Sequence, residues 1–153
     1  MSYDYIIVGS GPSGCVTAAR LVRDHGAKVL LLEAGPRNSH PLLHMPAGFI
    51  KMLSGSRYLS FQETTPQAQL GGRVHLVPQG HVLGGGSSVN AMVYMRGRPS
   101  DYEGWNAAAA GSGVGWGWDD VLPLFRHSED FYKGADELHG SGGEWRVERA
   151  PVR

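Results

Sequence analysis

The chain has 153 residues, enough for one domain that buries roughly two-thirds of its unfolded surface. Its 14 basic residues balance 14 acidic ones, so no charge excess steers it toward nucleic acid or anionic lipid. Cys15 is the only cysteine, which excludes a disulfide framework and fits a reducing compartment. No apolar run reaches membrane-spanning length and the N-terminus has no basic, apolar leader pattern, so a cytoplasmic chain without a membrane segment is expected.

Tyr5-Ile6-Ile7-Val8 is a short apolar run ended by Gly9, the pattern of a strand buried on both faces. Apolar positions from Ser13 to His25 predict a helix, with Gly26 as its stop. Val29-Leu30-Leu31-Leu32 is a second buried strand running into Glu33-Ala34-Gly35-Pro36. Together these make a βαβ unit over 1–36 with parallel strands and a right-handed crossover. Residues 37–79 carry Pro41, Pro46, Pro66 and Pro78 and no second βαβ repeat; a short helix is expected over 46–53 and a strand over 74–77. Further on, Asp119 is expected to cap a helix, with Asp120 near its positive end and Pro123 in its first turn. From Lys133 the chain is turn-rich, with no closing element expected.

Gly9-Ser10-Gly11-Pro12-Ser13-Gly14 sits between the first strand and the helix. Gly9 permits the tight turn, Gly11 lets the backbone approach phosphate, and Gly14 lets the helix pack closely. Glu33, 22 positions after Gly11, ends the second strand where a carboxylate can accept from ribose hydroxyls and disfavour a 2′-phosphate. Strand, glycines, helix, strand and acid in this order predict a dinucleotide site. The motif alone does not choose between NAD and FAD.

A second glycine-rich stretch, Gly80-His81-Val82-Leu83-Gly84-Gly85-Gly86-Ser87-Ser88-Val89-Asn90, replaces the regular third repeat of an NAD dehydrogenase. It offers unhindered N–H groups and two hydroxyls to phosphate or a flat ring. Here Gly80, Leu83, Gly84, Gly85, Gly86, Ser87, Val89, Asn90, Tyr94 and Gly97 match the first signature of the glucose–methanol–choline (GMC) oxidoreductases, which the chain resembles. His81 departs from it, standing where Arg, Lys or Asn is usual. The resemblance continues through Arg96-Gly97, Ser100-Asp101-Tyr102, Trp105, Gly115-Trp116, 119–123 and His139-Gly140.

The resemblance implies a Rossmann-like α/β FAD-binding domain, with Gly9, Ser10, Gly11, Pro12, Ser13, Gly14, Glu33 and Ala34 around the ADP half of FAD. It implies that residues 83–91 wrap the pyrophosphate, ribityl chain and one flank of the isoalloxazine, with Leu83, Gly84, Gly85, Gly86, Ser87, Asn90, Ala91, Met92 and Val93 as contacts. Some relatives bond flavin covalently through a His just before the motif asparagine; Val89 stands there, so non-covalent FAD is expected. The organisation this implies is an ADP-binding unit (1–36), an excursion (37–79), a flavin-binding loop (80–97) and a helix with a turn-rich tail (98–153). The activity implied is oxidation of a small-molecule alcohol by hydride transfer to flavin N5. The family's catalytic His and substrate domain match nothing in this sequence, so no catalytic residue is assigned and a partner segment is expected. A non-catalytic cofactor-binding fragment and a hydroxynitrile lyase of the same family are the alternatives. The Met45–Gly48 and Tyr94–Gly97 runs look closer to choline-dehydrogenase-like members.

Other residues are expected to be structural. His40 and His44 are four apart, but Pro41 intervenes and no third ligand is near, so no metal is expected. Cys15 is expected as a small buried packing residue. The four tryptophans are expected to pack, and Arg96, Arg98, Glu148 and Arg149 to be surface charges.

Overall fold

The structure is a computed structural model that describes residues 2–149. The chain divides into two compact units, Met1–Val93 and Tyr94–Arg153.

The first unit opens with the predicted βαβ. Strand β1 (Tyr5–Val8) leads through the glycine turn into helix α1 (Pro12–His25) and on to strand β2 (Val29–Leu32). The strands pair in parallel, Tyr5 opposite Val29 and Val8 opposite Leu32. Pro12 occupies the first helical position, where its missing N–H costs nothing. Gly26 ends the helix in the left-handed region at φ 63°, its N–H bonded to the Val22 carbonyl, while the Ala27 N–H reaches back to Leu21.

The strands are not buried on both faces as the apolar runs suggest. Ile6 is 63% and Val8 81% exposed. Only Ile7 of β1 turns toward α1, its Cγ2 lying 3.4 Å from where a Gly14 Cβ would stand. Among the described residues this sheet has two strands, so one face has the helix and the other has no covering layer.

The proline-rich excursion holds two short helices, α2 (Pro41–His44) and α3 (Gly48–Leu53), the second inside the span expected for one. His40 is spent on the first: its ring nitrogen accepts from the Leu42 N–H at 3.2 Å. The strand expected over 74–77 is β4 (Leu76–Gly80), displaced toward the glycine stretch by its partner β3 (Leu59–Glu63). The two run antiparallel, Leu59 opposite Gly80 and Glu63 opposite Leu76. This pairing was not read from the sequence because β3 alternates weakly and Pro78 lies within β4; a two-stranded ribbon leaves Pro78 an edge position. Met52, Tyr58 and Val82 form the buried core of this region, with Leu43, Leu59 and Val89 packed around them.

The second unit contains α4 (Pro99–Ala108) and α5 (Trp118–Ser128), and a short parallel pair, β5 (Glu129–Phe131) with β6 (Trp145–Val147). Strand β6 supplies a pairing element in a tail read as lacking one. Helix α5 starts earlier than expected. Gly117, not Asp119, is its N-cap, and the Asp120 carboxylate accepts from the Gly117 N–H at 3.0 Å. Pro123 therefore lies inside the helix rather than in its first turn. Asp101 does the same for α4, accepting from the Arg98 N–H at 2.7 Å. The buried Tyr102 ring meets Trp105, Trp118 and Phe125 with centroids 5.4, 5.5 and 5.9 Å away. The tryptophans pack less fully than expected, Trp105 and Trp145 each staying 58% exposed.

Arg96 is not a surface charge. Its guanidinium lies 2.8 Å from Glu129 Oε2 and also donates to the Leu138 carbonyl. The Glu129 side chain is completely buried, and Oε2 accepts a second bond from the Gly140 N–H at 2.7 Å. His139 stacks on Phe131 at 3.8 Å beside this pair, a structural role. Removing one member of a buried pair leaves an uncompensated charge. Arg96→Met is therefore expected to lower the unfolding free energy by ~3–5 kcal/mol in urea denaturation, with Glu129→Gln in the same chain restoring part of it by removing that charge.

Candidate functional site

The site is built in the first unit, where the two glycine stretches meet. Gly14 lets α1 start close against the turn: a Cβ there would stand 2.0 Å from the Gly9 carbonyl oxygen. Gly85 does the corresponding work in the second stretch. It has φ 55°, and a Cβ on it would lie 2.8 Å from Gly11 Cα. A 3₁₀ turn over Gly85–Ser88 follows directly, preceded by Gly84 at φ 93°. Backbone therefore packs on backbone, with no side chain between the two turns.

Hydrogen bonds lock the contact. The Gly84 N–H donates to the Ser10 carbonyl at 3.0 Å and approaches the Ser10 hydroxyl at 3.2 Å. The Leu83 N–H donates to the Pro36 carbonyl at 2.9 Å. Glu33 accepts from the Ser10 N–H at 2.8 Å and the Ser10 hydroxyl at 2.6 Å through Oε2, and from the Gly35 N–H at 2.7 Å through Oε1. The Ser10 hydroxyl, then the Gly35 and Ser10 amides, hold the Glu33 carboxyl down to about 2, so it is ionised across the physiological range. A carboxylate offers about four acceptor positions. The Ser10 hydroxyl and the Ser10 and Gly35 amides take three of them, and the Ala34 amide adds to the same stabilisation.

These elements enclose a cavity of about 570 Å³. Gly9, Gly11, Glu33, Gly85, Gly86 and Asn90 of the predicted residues are on its wall, so the structure brings both glycine stretches and the acid to one place. The N-terminus of α1 opens there, where first-turn amides lack intrahelical acceptors and favour anions. A smaller cavity of about 100 Å³ shares Asn90 with the first and adds Ser87 and Met92. Pro12, Ser13, Gly14, Ala34, Leu83, Gly84, Ala91 and Val93 are on the walls of neither. Ser10 is fully buried behind the loop.

Met92 has the one positive φ outside glycine among the described residues, 57°, and its N–H donates to Asn90 Oδ1 at 2.8 Å. The sequence did not point to Leu53, Leu59, Pro78 and Gln79 as wall residues. The available signal was Pro78–Gly80 running straight into the second glycine turn. Cys15, expected to be buried, is exposed; its thiol donates to the Ser10 carbonyl at 3.0 Å. Among the described residues no three His, Cys, Asp or Glu side chains gather as metal ligands, and no helix is long and apolar enough to cross a membrane.

The family model described as GMC oxidoreductase matches residues 3–152. The chain is 48% identical over 149 residues to "Alcohol dehydrogenase [acceptor]" of Pseudomonas putida, a match covering 95% of this chain and 26% of that protein. It is 44% identical over 154 residues to "Choline dehydrogenase, mitochondrial" of Homo sapiens, covering 96% and 25%. Among solved structures, pyridoxine 4-oxidase from Mesorbium loti superposes with a TM-score of 0.81 at 40% identity, over 95% of this chain and 28% of that one. The chain thus spans about a quarter of the length of the curated relatives it matches.

Two measurements check the geometry. Gly85→Ala should cost ~1–3 kcal/mol in unfolding free energy, from a Cβ forced against Gly11 at positive φ. Because the folded Glu33 carboxyl lies at about 2 rather than 4.5, its stabilising contribution is fully present above pH 4.5 and is lost as pH falls through 2. The urea midpoints of the native chain and of Glu33→Gln should therefore differ most above pH 4.5 and converge toward pH 2.

Proposed function

The chain belongs to the GMC oxidoreductase family, of which it carries the N-terminal region with its α/β, Rossmann-like fold, and from that premise we propose that the first-unit cavity holds FAD without a covalent bond. The observation that carries this reading is the convergence of Gly9, Gly11, Glu33, Gly85 and Gly86 on one wall. The cradle fits the group. Two side-chain-free turns admit a pyrophosphate at close range, a helix N-terminus favours its charge, and an ionised carboxylate waits for ribose hydroxyls.

In this reading 1–36 takes the ADP half and 80–97 the flavin half, with Ser87, Asn90, Ala91, Met92 and Val93 on the flavin side. Val89 supplies no nucleophile where covalent relatives carry histidine. When bound, the flavin supplies a two-electron acceptor for oxidation of an alcohol carbon. What the chain's own residues do is bind and orient: Glu33 selects an unphosphorylated ribose, the amides at the start of α1 hold phosphate, and the second turn supplies a wall without side chains that lets it approach. Small alcohols are the proposed substrates of the whole protein, supported by the alcohol and choline dehydrogenases among its relatives. Further chain is proposed to cover the exposed face of β1 and bring the catalytic base, and the lone Cys15 fits a cytoplasmic setting.

Absorption bands near about 370 and 450 nm are expected in the purified protein, with all colour passing to the supernatant on acid precipitation. Colour left in the precipitate would overturn non-covalent binding, and a protein that takes up no FAD would overturn the site. Glu33→Ala should weaken FAD by about 10- to 100-fold, the range for losing a charged acceptor, as read by fluorescence titration.

A further inference from the structure

Ser10 occupies the variable position of the first glycine motif, yet it is fully buried and each of its polar atoms has a partner. Its hydroxyl orientation is forced. A hydroxyl has one hydrogen to give, Glu33 can only accept, and the Gly84 N–H can only donate. The hydrogen therefore points at Glu33 Oε2, 2.6 Å away, and the lone pairs face Gly84, 3.2 Å away. The Ser10 carbonyl takes the same Gly84 N–H at 3.0 Å, and the Ser10 N–H takes Glu33 Oε2 at 2.8 Å. One small residue thus fastens the acid at the end of β2 to the turn that begins 74 residues later in the chain.

We propose that Ser10 is a positioning residue that couples the two ends of the dinucleotide site, orienting the Glu33 carboxylate for the ribose while fixing the Gly84 amide and the turn that carries the far half of the ligand. This rests on the dinucleotide reading given above. Ser10 makes no ligand contact in this role. Its effect passes through Glu33 on one side and through Gly84 on the other, so filling the ribose end tightens the distant turn.

The test uses the full-length protein with Ser10→Ala, and ADP and FAD as probes. The hydroxyl is the largest influence keeping Glu33 ionised, so its loss moves the Glu33 carboxyl up toward its ordinary 4.5. The ratio of S10A to native ADP affinity, in which titration of the ADP phosphate cancels, is expected to be constant from pH 7 to 6 and to fall by about twofold by pH 4.5, where a carboxyl titrating near 4.5 is half protonated. Hydrogen exchange supplies the second readout: saturating ADP should slow exchange of the Gly84–Gly86 amides in the native protein and not in S10A. Ser10→Thr, which keeps the hydroxyl, should restore both behaviours. If S10A does not fold, Ser10→Cys keeps the volume with a weaker donor and is expected to show the same two losses in smaller degree. Native-like pH dependence and native-like protection of Gly84–Gly86 in these variants would overturn the coupling while leaving the site intact. A native protein that binds neither ADP nor FAD would overturn the dinucleotide reading, and this inference with it.

Discussion

Contact between the two glycine turns is the constraint on which the first unit depends. Gly85 meets Gly11 at a distance that leaves no room for a Cβ, and Gly84 donates into Ser10. Such a contact joins two segments far apart in sequence through backbone groups, whose geometry is stiffer than that of side chains. The neighbouring elements close on the same contact. The turn after β2 closes on Leu83, Glu33 is drawn under Ser10, and β4 is held where its last residues face the cavity. Backbone contacts of this kind fix the shape of the site, and a fixed site reduces the ordering cost of binding.

That preorganisation explains why an acid can be so strongly ionised without a cation near it. Glu33 is held by the Ser10 hydroxyl and by the Gly35, Ser10 and Ala34 amides, with no lysine or arginine among the groups that lower it. Amide dipoles fixed by the fold favour the charged form as a salt bridge would, but with directional selectivity for donors. The second unit uses the opposite solution. There Glu129, fully buried, is matched by Arg96, and the pair is spent on holding the chain together.

The βαβ unit was legible because its signals are local: a four-residue apolar run, a glycine turn, Pro12 at the helix start and Gly26 at its end. The coming together of Gly9, Gly11 and Glu33 was legible from the order of strand, glycines, helix, strand and acid, whereas that of Gly85 with them rested on the motif resemblance, since composition and period say nothing of long-range contact. Among the departures from expectation, three have identifiable reasons. Asp119 has good capping chemistry, but the Asp120 carboxylate reaches back to Gly117 and starts α5 earlier, which carries Pro123 into the helix. Arg96 looks like any surface arginine until the buried acid 33 residues away is known. Apolar β1 promises burial, and the described residues supply only one covering layer.

The exposed face of β1 and the closed geometry of the glycine contact bear on each other. A two-stranded parallel sheet with apolar residues open to water is weak as an isolated unit, and its edges invite pairing. Yet the cavity wall does not lean on that face: Ile6 and Val8 point away from α1, while the residues around the cavity are tied by hydrogen bonds to one another and to the Met52, Tyr58 and Val82 core. The cavity is thereby separated from whatever completes the sheet. A change that loosens the open face should lower stability while leaving the Glu33–Ser10 and Ser10–Gly84 bonds in place, because neither crosses the sheet to that side.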